Sequence, residues 1–284
     1  MNFEILENLP PNAKIAGVIG DPIAQSLSPF LHNYWLTKYQ IAGVYIPLKV
    51  SKLEFSEFVK NLPDLGFSGC NVTIPHKEEA AKLCNFISKA AKKIGAVNTI
   101  TIADDGKIYG DNSDYFGFIQ NIKSSQPSFD FRNKKVLLLG AGGAARGIIY
   151  GLLNEGVKEI IIANRSLEKA QNLADHFENC VAINWNEKDN KLAEIDLLVN
   201  STSLGMSGST ALEINLKNLN KSAVVSDIVY KPLMTNLLSQ AQSHGNPIVT
   251  GIGMLIYQGM VGFEKWFGKK PEVTQELMNQ MLSQ

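Results

Sequence analysis

The sequence predicts an α/β protein with two domains and mainly parallel sheets. The chain has 284 residues, which is long for a single hydrophobic core and sufficient for two. Hydrophobic residues make up 45% of the chain and charged residues 19%, as in a globular protein. Short apolar, β-branched runs alternate with helical patterns from one end to the other. This alternation is typical of βαβ units.

Ten runs are predicted to be strands, and helical patterns separate most of them. Runs such as VLLLG and EIIIA are apolar without a break, as expected of parallel strands that are buried on both faces. In chain order, the predicted strands are KIAGVIG, GVYIPLKV, SGCNVTIP, AVNTITI, KKVLLLG, KEIIIAN, CVAINW, IDLLVNST, AVVSDIV and PIVTG.

Capping and turn residues predict where several elements begin and end. Ser28 before Pro29 predicts a helix start, with the serine hydroxyl as cap and the proline in the first turn. Residues 104–106, Asp-Asp-Gly, predict a hairpin turn between AVNTITI and KIYG. From Gly253 onward the chain is predicted to be helical, and Pro271 is expected in the first turn of the last helix.

A change in composition locates the second domain. The stretch 124–135, SSQPSFDFRNKK, is polar, contains a proline and precedes the strongest predicted strand. We expect the second domain to begin just before it, and the motif Gly110-Asp111-Asn112-Ser113-Asp114 to end the first domain. The expected ranges are 1–113 and 114–252. Periodicity does not decide which domain the tail 253–284 packs against.

Charge and cysteine usage argue against several classes of function. Lys plus Arg and Asp plus Glu number 27 each, and a polyanion partner such as nucleic acid needs a basic excess. The N-terminus lacks the pattern of a secretory signal, and no apolar run reaches the length of a membrane span. The three cysteines, Cys70, Cys84 and Cys180, match no zinc or disulfide spacing. We therefore expect a cytoplasmic protein with free thiols, no metal and no membrane or nucleic-acid partner.

A glycine-rich motif predicts a dinucleotide site in the second domain. Gly140, Gly142 and Ala145 fit the pattern G-x-G-x-x-[G/A], between a predicted strand and a predicted helix. The glycines allow a tight turn and a close approach to pyrophosphate, which then binds at the helix N-terminus. This context predicts a Rossmann-like, doubly wound domain. The residues expected at the cofactor are Gly140, Ala141, Gly142, Gly143, Ala144 and Ala145.

The end of the next strand favours NADP over NAD. NAD-binding domains usually place an acid there for the ribose 2′-hydroxyl, but this chain has Asn164-Arg165-Ser166. The Arg165 guanidinium suits a 2′-phosphate and the face of adenine. Lys169 follows in a helix that Ser166 is expected to cap, so it should lie on the same face.

Polar residues after two strands of the first domain are candidates for the substrate site. Asn71 and Thr73 are two residues apart and point to one side of a strand end. Lys77 opens the next helix, where a cation is unfavourable for stability and therefore suggests a function. Ser26 and Ser28 precede a helix whose amides favour a carboxylate, although simple capping also explains them. His76 remains an alternative acid or base.

These motifs occur in the order found in the shikimate dehydrogenase family, which the chain resembles over nearly its whole length. The matching segments are S-L-S-P at 26–29, N-V-T-I-P-H-K at 71–77, G-A-V-N-T at 95–99, N-S-D at 112–114, G-A-G-G-A-A-R at 140–146, N-R-S at 164–166, N-S-T-S-L-G-M at 200–206, D-I-V-Y-K-P at 227–232 and G-I-G-M-L-I-Y-Q at 251–258.

The resemblance implies an NADP-dependent oxidoreductase that reversibly reduces 3-dehydroshikimate to shikimate, a step of aromatic amino-acid biosynthesis. It implies an N-terminal substrate domain completed by the C-terminal helices, 253–284. It also implies that Lys77 and Asp114 flank the reacting hydroxyl, without deciding which of them transfers the proton. The implied ligands of the substrate carboxylate are Ser26, Ser28 and Tyr230. Other oxygens of the ring and the carboxylate would be held by Asn71, Thr73, Asn98 and Gln258. Further implied cofactor residues are Thr202 and Gly251.

Departures from the family pattern and three rival functions remain. Ser113 replaces the commoner Thr, Tyr115 stands where Gly is frequent, and Lys169 stands where Arg is frequent, so the strength of NADP preference is open. The rivals are a quinate or quinate/shikimate dehydrogenase, a non-catalytic module that binds a shikimate-like ligand, and another two-domain dehydrogenase such as methylenetetrahydrofolate dehydrogenase. A monomer and a homodimer are both open.

Overall fold

The computed structural model describes residues 9–283 and divides the chain into two compact units. The first unit contains the residues up to Ser113 together with Gln258 onward, and the second contains Asp114–Tyr257. Residues 253–257, expected with the first domain, are thus assigned to the second unit. The first eight residues, where no secretory signal is predicted, lie outside the described range. Within that range, no helix is long and apolar enough to cross a membrane.

The first unit contains one mixed sheet with helices between its strands. Its strands lie in the order β2-β1-β3-β5-β6-β4. The elements are β1 (Lys14–Gly20), α1 (Ser28–Lys38), β2 (Gly43–Lys49), α2 (Phe55–Asn61), β3 (Phe67–Val72), α3 (Lys77–Leu83), β4 (Phe86–Ile87), α4 (Lys89–Ile94), β5 (Thr99–Ile102) and β6 (Ile108–Asp111).

The direction of the strands brings several loop residues to one edge of this sheet. β1 pairs in parallel with β2 and β3, so the carboxyl ends of these three strands lie at the same edge. β5 is antiparallel to β3, with Asn71 opposite Thr99, so β5 begins where β3 ends. β5 and β6 form the predicted hairpin. The short strand β4, which was not predicted, pairs with β6.

The second unit contains a fully parallel sheet in the order β12-β11-β10-β7-β8-β9. The chain order reverses between β7 and β10, which is where doubly wound sheets bind ligands. The elements are α5 (Asp114–Ser125), β7 (Lys135–Leu139), α6 (Gly143–Asn154), β8 (Glu159–Asn164), α7 (Leu167–His176), β9 (Cys180–Asn184), a 3₁₀ segment (Trp185–Glu194), β10 (Leu197–Asn200), a 3₁₀ turn (Leu216–Asn218), β11 (Val224–Asp227), α8 (Asn236–His244) and β12 (Ile248–Val249).

The central strand β7 separates two hydrophobic cores. Val136 and Leu138 pack into one cluster of buried residues, and Leu137 and Leu139 pack into another. All four side chains are fully buried. Burial on both faces explains why the run is apolar without a break.

Two helix starts differ from the predictions. The residue before α1 is Leu27, and Ser28 is already helical and makes no capping hydrogen bond. The last two helices are α9 (Ile252–Phe267) and α10 (Gln275–Leu282). Pro271 lies before α10, because Thr274 caps this helix by accepting a hydrogen bond from the Leu277 amide. The predicted first-turn position of Pro29 in α1 is confirmed.

Candidate active site

Polar residues of the first unit meet at the sheet edge formed by the ends of β1 and β3 and the start of β5. Ser26 lies between β1 and α1, and Thr73 directly follows β3. Asn98 directly precedes β5, and its carbonyl accepts a hydrogen bond from the Val72 amide at 2.9 Å. Five predicted substrate residues are therefore at this edge: Ser26, Ser28, Asn71, Thr73 and Asn98.

The Asn71 side chain is oriented by a hydroxyl from β2. The Tyr45 hydroxyl donates to Asn71 Oδ1 at 2.7 Å, and Asn71 Nδ2 donates to the Asn98 carbonyl at 3.1 Å. The Tyr45 ring is 1% exposed and stacks on His32 at a centroid distance of 4.0 Å. Tyr45 thus fixes which end of the Asn71 amide faces which neighbour.

The Asn98 side chain is oriented in the same way and is bonded to Gln258. Its Oδ1 accepts from the Ser113 amide at 2.7 Å and from the Thr99 hydroxyl at 2.9 Å. Its Nδ2 donates to Gln258 Oε1 at 3.1 Å. Because Oε1 is the acceptor in this bond, Gln258 Nε2 is the group that donates to other partners. Gln258 lies in α9 and is the first residue of the C-terminal part of this unit.

Lys77 and His76 occupy different environments at the start of α3. Lys77 is the first residue of the helix and is half-buried. Its carbonyl accepts from the Val97 amide at 2.8 Å, which places it beside Asn98 in the fold. His76 is 2% exposed, and its ring stacks on Phe55 at 4.2 Å. Its Nε2 lies 2.8 Å from the Val50 carbonyl, so this nitrogen must carry the proton and His76 is held within the fold.

The serine pair forms a small hydrogen-bonded turn. Ser26 Oγ accepts from the Ser28 amide at 3.3 Å, so Ser26 rather than Ser28 binds an amide near the helix start. Ser28 itself is buried. Both hydroxyls lie next to the N-terminal amides of α1, where a carboxylate is favoured by the helix dipole.

In the second unit, the loop after β7 has the properties of a pyrophosphate cradle. Gly140 has a φ of +107°, and a Cβ there would lie 2.8 Å from Ser201 Oγ. A Cβ at Gly142 would meet no heavy atom within 4 Å, so this turn faces open space. Gly142 precedes α6 without a side-chain cap, which leaves the first helix amides directed at that space. These residues fit a dinucleotide; the expected contacts are Gly140–Ala145.

Basic side chains lie beside this cradle, after β8. The Gly140 amide donates to the Ala163 carbonyl at 2.8 Å, so the glycine loop and the end of β8 are neighbours. The side chains of Arg165 and Lys169 are exposed, and neither side chain makes a hydrogen bond or ion pair with a described residue. Ser166 caps α7 as expected, accepting from the Lys169 amide. Asn164 Nδ2 donates to the Ser166 carbonyl at 3.0 Å.

The remaining predicted residues of this unit follow β10, β11 and β12. Thr202 follows β10 and is bonded to Asn200, whose Oδ1 accepts from the Thr202 hydroxyl at 2.7 Å. Tyr230 follows β11, and Gly251 follows β12. Asp114 is the first residue of α5 and is 1% exposed. Asp114 and Tyr230 belong to the second unit, whereas Lys77 and the amide cluster belong to the first.

Five buried polar residues around these sites were not singled out from the sequence: Tyr45, Thr99, Asn200, Asp227 and Thr235. Asp227 is fully buried, and burial raises its pKa to about 6, while hydrogen bonds from Thr235, Val229 and Asn200 act in the opposite direction. A sequence signal was present, since Asp227 interrupts the apolar strand AVVSDIV, and buried acids are rare without partners.

Comparison with known proteins identifies the family. Residues 18–100 match the shikimate dehydrogenase substrate binding domain, residues 122–230 match shikimate / quinate 5-dehydrogenase, and residues 251–280 match the shikimate 5′-dehydrogenase C-terminal domain. The three matches follow one another along the chain and together cover most of it.

Individual relatives agree with these matches. The chain is 49% identical over 264 residues to a shikimate dehydrogenase (NADP(+)) from Dinoroseobacter shibae, covering 93% of this chain and 95% of that protein. A shikimate 5-dehydrogenase from Thermus thermophilus, solved with NADP(H) and shikimate, superposes with a TM-score of 0.84 at 30% identity, covering 95% and 98%. A quinate dehydrogenase from Corynebacterium glutamicum, solved with NAD, superposes with a TM-score of 0.87 at 28% identity, covering 96% of this chain and 99% of that protein. The chain therefore belongs to the shikimate dehydrogenase family.

Proposed function

We propose that this protein is an NADP-dependent shikimate dehydrogenase, which reduces 3-dehydroshikimate to shikimate and runs in both directions. The observation that carries this proposal is the joined amide cluster at the edge of the first sheet. Asn71, Asn98 and Gln258 are held in fixed orientations by hydrogen bonds to each other and to Tyr45. Such a set of oriented donors and acceptors suits the several hydroxyls of a ring-shaped acid.

The substrate carboxylate and ring hydroxyls would be held by separate groups. We assign the carboxylate to Ser26 and Ser28, beside the amides of α1, with Tyr230 as a further donor. Thr73, Asn71, Asn98 and Gln258 are assigned to the remaining oxygens. Each of these contacts orients the ring, so that one oxygen faces the catalytic groups.

The proposed reaction converts the ketone, NADPH and one proton to the secondary alcohol and NADP⁺. NADPH, when bound at Gly140–Ala145 with Arg165 and Lys169 at its 2′-phosphate, supplies the hydride. The protein's task is then to hold charge and move a proton. The Lys77 ammonium stabilises negative charge on the carbonyl oxygen and donates a proton to it. Asp114 orients this lysine and the substrate hydroxyl; in the reverse direction, the neutral amine accepts the proton.

Cofactor preference separates this function from a quinate/shikimate dehydrogenase that uses NAD. Quinate carries an additional hydroxyl at the carbon that bears the carboxylate, so the Ser26/Ser28 pocket would need room for it. The end of β8 carries no acid for a ribose hydroxyl, and the side chains of Arg165 and Lys169 have no hydrogen-bond or ion-pair partner among the described residues. Both features favour NADP, and the paired hydroxyls of Ser26 and Ser28 favour shikimate.

The cysteines favour the cytoplasm as the place of this reaction. Cys70, Cys84 and Cys180 are all free thiols, and free thiols persist in reducing compartments.

The direct test of the proposed function is turnover of shikimate by the purified protein. With NADP⁺ present, we expect NADPH to appear in equal amounts with 3-dehydroshikimate. The reverse reaction should consume NADPH and yield shikimate. Absence of turnover in both directions would reject the proposal.

A further inference from the structure

Asp227 is a buried carboxylate that the proposed chemistry does not use. It is the last residue of β11 and is fully buried. Its Oδ1 accepts from Asn200 Nδ2 at 2.9 Å and from the Val229 amide at 3.0 Å. Its Oδ2 accepts from the Thr235 hydroxyl at 2.7 Å. One side chain thus binds three separate points of the chain.

The first of these partners, Asn200, begins the segment 200–206, which we call the Thr202 loop. Asn200 Nδ2 donates both to Asp227 and to the Leu204 carbonyl, the latter at 3.1 Å. Its Oδ1 accepts from the Thr202 amide at 3.1 Å and from the Thr202 hydroxyl at 2.7 Å. Asp227 therefore fixes the amide of Asn200, and Asn200 in turn fixes the backbone and side chain of Thr202.

The other two points enclose the segment 227–235, which we call the Tyr230 segment. Val229 lies just before Tyr230, and Thr235 ends the segment as the cap of α8, where it accepts from the Leu238 amide. The residue that follows the Thr202 loop is also bonded to the Tyr230 segment, since the Ser207 amide donates to the Lys231 carbonyl at 2.8 Å. Both ends of the Tyr230 segment are thus attached to the same carboxylate.

Gly251 is in close contact with the Tyr230 segment. A Cβ at Gly251 would lie 2.4 Å from the Ile228 carbonyl oxygen, so only glycine permits this backbone approach. The loop ends that carry Thr202, Tyr230 and Gly251 are therefore held as one assembly at the carboxyl edge of the second sheet.

Core stability alone does not explain this carboxylate. β11 is buried along its whole length, and an apolar residue would fill such a position without the cost of desolvating an acid. That cost is evident in the raised pKa of Asp227, of about 6. The three hydrogen bonds offset the cost and at the same time specify one arrangement of the loops.

We propose that Asp227 is a positioning residue that holds the Thr202 loop and the Tyr230 segment in their binding geometry. NADP binding at the Thr202 loop and substrate binding at the Tyr230 segment then both depend on Asp227. This inference rests on the proposed function, in which Thr202 contacts the cofactor and Tyr230 the substrate carboxylate.

The test compares Asp227→Ala and Asp227→Asn with the parent enzyme. The alanine variant removes every acceptor, so we expect the Michaelis constants for NADP⁺ and shikimate to rise about tenfold or more, with a smaller change in kcat. The asparagine variant keeps one accepting oxygen, so its Michaelis constants should lie between those of the parent and those of the alanine variant. A fall in melting temperature with both Michaelis constants unchanged would show a purely structural role and overturn the inference.

A second pair of variants covers the case in which Asp227→Ala does not fold. Thr235→Val removes one hydrogen bond to Asp227 without changing the shape of the side chain, whereas Thr235→Ser keeps the hydroxyl. We expect the valine variant to raise both Michaelis constants and the serine variant to restore them. Thr274→Val is the matched control, because it removes a similar helix cap far from Asp227 in the sequence. It should lower stability without changing either constant; equal effects of the two valine variants on binding would contradict the inference.

Calorimetry distinguishes failure of this inference from failure of the proposed function. The dissociation constant of NADP⁺ is measured for the parent and for the Asp227 variants, without turnover. If the parent binds NADP⁺ but does not oxidise shikimate, the proposed function fails, while weaker NADP⁺ binding by the variants still supports the positioning role. Equal affinities in the parent and the variants would reject that role.

Discussion

At the scale of single residues, the proposed catalytic group is Lys77 and not its neighbour His76. The His76 ring is buried, stacked on Phe55 and bonded to the Val50 carbonyl. By its chemistry a histidine is the more usual acid or base at neutral pH, but this one is part of the packing. Lys77 is half-buried at the start of α3, next to the amide cluster.

We predict that Lys77→Ala lowers kcat for shikimate oxidation by about 10²–10⁴-fold, the usual value of general acid–base catalysis. The Michaelis constant should change little, since other groups bind the ring. Lys82→Ala is the matched control, because Lys82 lies in the same helix, is exposed and pairs with Glu79. A kcat near that of the parent in Lys77→Ala would refute the assignment.

Tyr45→Phe tests whether the orientation of Asn71 matters. The change removes only the hydroxyl that donates to Asn71 Oδ1. The net loss of one such bond is about 0.5–1.5 kcal/mol, so the Michaelis constant for shikimate should rise by roughly two- to tenfold. Tyr34→Phe is the control, at a half-buried tyrosine of α1 whose hydroxyl makes no hydrogen bond to the described residues. Equal constants for the two variants would mean that the Asn71 amide needs no such partner.

The sequence allowed the prediction of ligand candidates but not of the residues that orient them. Asn71 and Lys77 stand at a strand end and a helix start, where the local pattern alone marks them, whereas the role of Ser26 was implied by the resemblance to the family. Tyr45 and Asp227 lie in strands, and their partners Asn71 and Asn200 are 26 and 27 residues away in the chain. The break in the apolar run marks Asp227 as unusual, but no local pattern indicates these contacts, because the pairing of strands creates them.

At the scale of elements, strands were predicted well and helix starts less well. All ten predicted strands are present. The signal is clearest for β7, β8, β10 and β11, whose apolar runs are buried along nearly their whole length. The short edge strand β4 was missed because two residues carry no periodic signal. The start of α1 at Ser28-Pro29 is as predicted, but the capping role of Ser28 was wrong, because Ser26 accepts from the Ser28 amide. The first-turn position of Pro271 was also wrong, because the last helix begins after its cap Thr274.

The junction of β8 and α7 gives a prediction about cofactor choice. Arg165→Ala should weaken NADP⁺ binding by about 1.5–3 kcal/mol, or roughly ten- to a hundredfold, because the guanidinium can donate to two oxygens of the 2′-phosphate. NAD⁺ binding should change less, and Lys169→Ala should have the smaller effect of the two. The measurement is the specificity constant for each cofactor. Arg132→Ala is the control, since Arg132 is exposed and pairs with Asp130. An equal fall in the specificity constants for both cofactors in Arg165→Ala would show that this residue does not bind the 2′-phosphate.

At the scale of the whole molecule, the first unit is assembled from both ends of the chain. Trp266 of α9 donates to the Ile100 carbonyl at 2.8 Å, and Phe263 packs against Trp35 of α1 at 5.3 Å. His32 lies among these rings and is fully buried without a hydrogen bond to the described residues. Burial lowers the pKa of His32 to about 3. The tail was therefore hard to assign from periodicity, because its place depends on this distant aromatic packing.

The buried His32 predicts a loss of stability in acid. Between pH 6.5 and about 3 the unfolded chain binds a proton at this histidine that the folded chain does not, so acid favours unfolding. Each pH unit in that range should cost up to about 1.4 kcal/mol of unfolding free energy. His32→Leu should remove this part of the slope. Fluorescence of Trp35 and Trp266, each 5.6 Å from the His32 ring, reports the unfolding. If the unfolding free energy of parent and variant falls with the same slope as the pH is lowered, the prediction is contradicted.

The central claim is that this chain uses NADP to interconvert shikimate and 3-dehydroshikimate. The measurement that tests it most directly is the specificity constant, kcat/KM, of the parent enzyme for shikimate and quinate, each with NADP⁺ and with NAD⁺. We predict the highest value for shikimate with NADP⁺, a clear decrease when NAD⁺ replaces NADP⁺, and a further decrease when quinate replaces shikimate. Equal constants for the two cofactors, or a higher constant for quinate than for shikimate, would contradict the account.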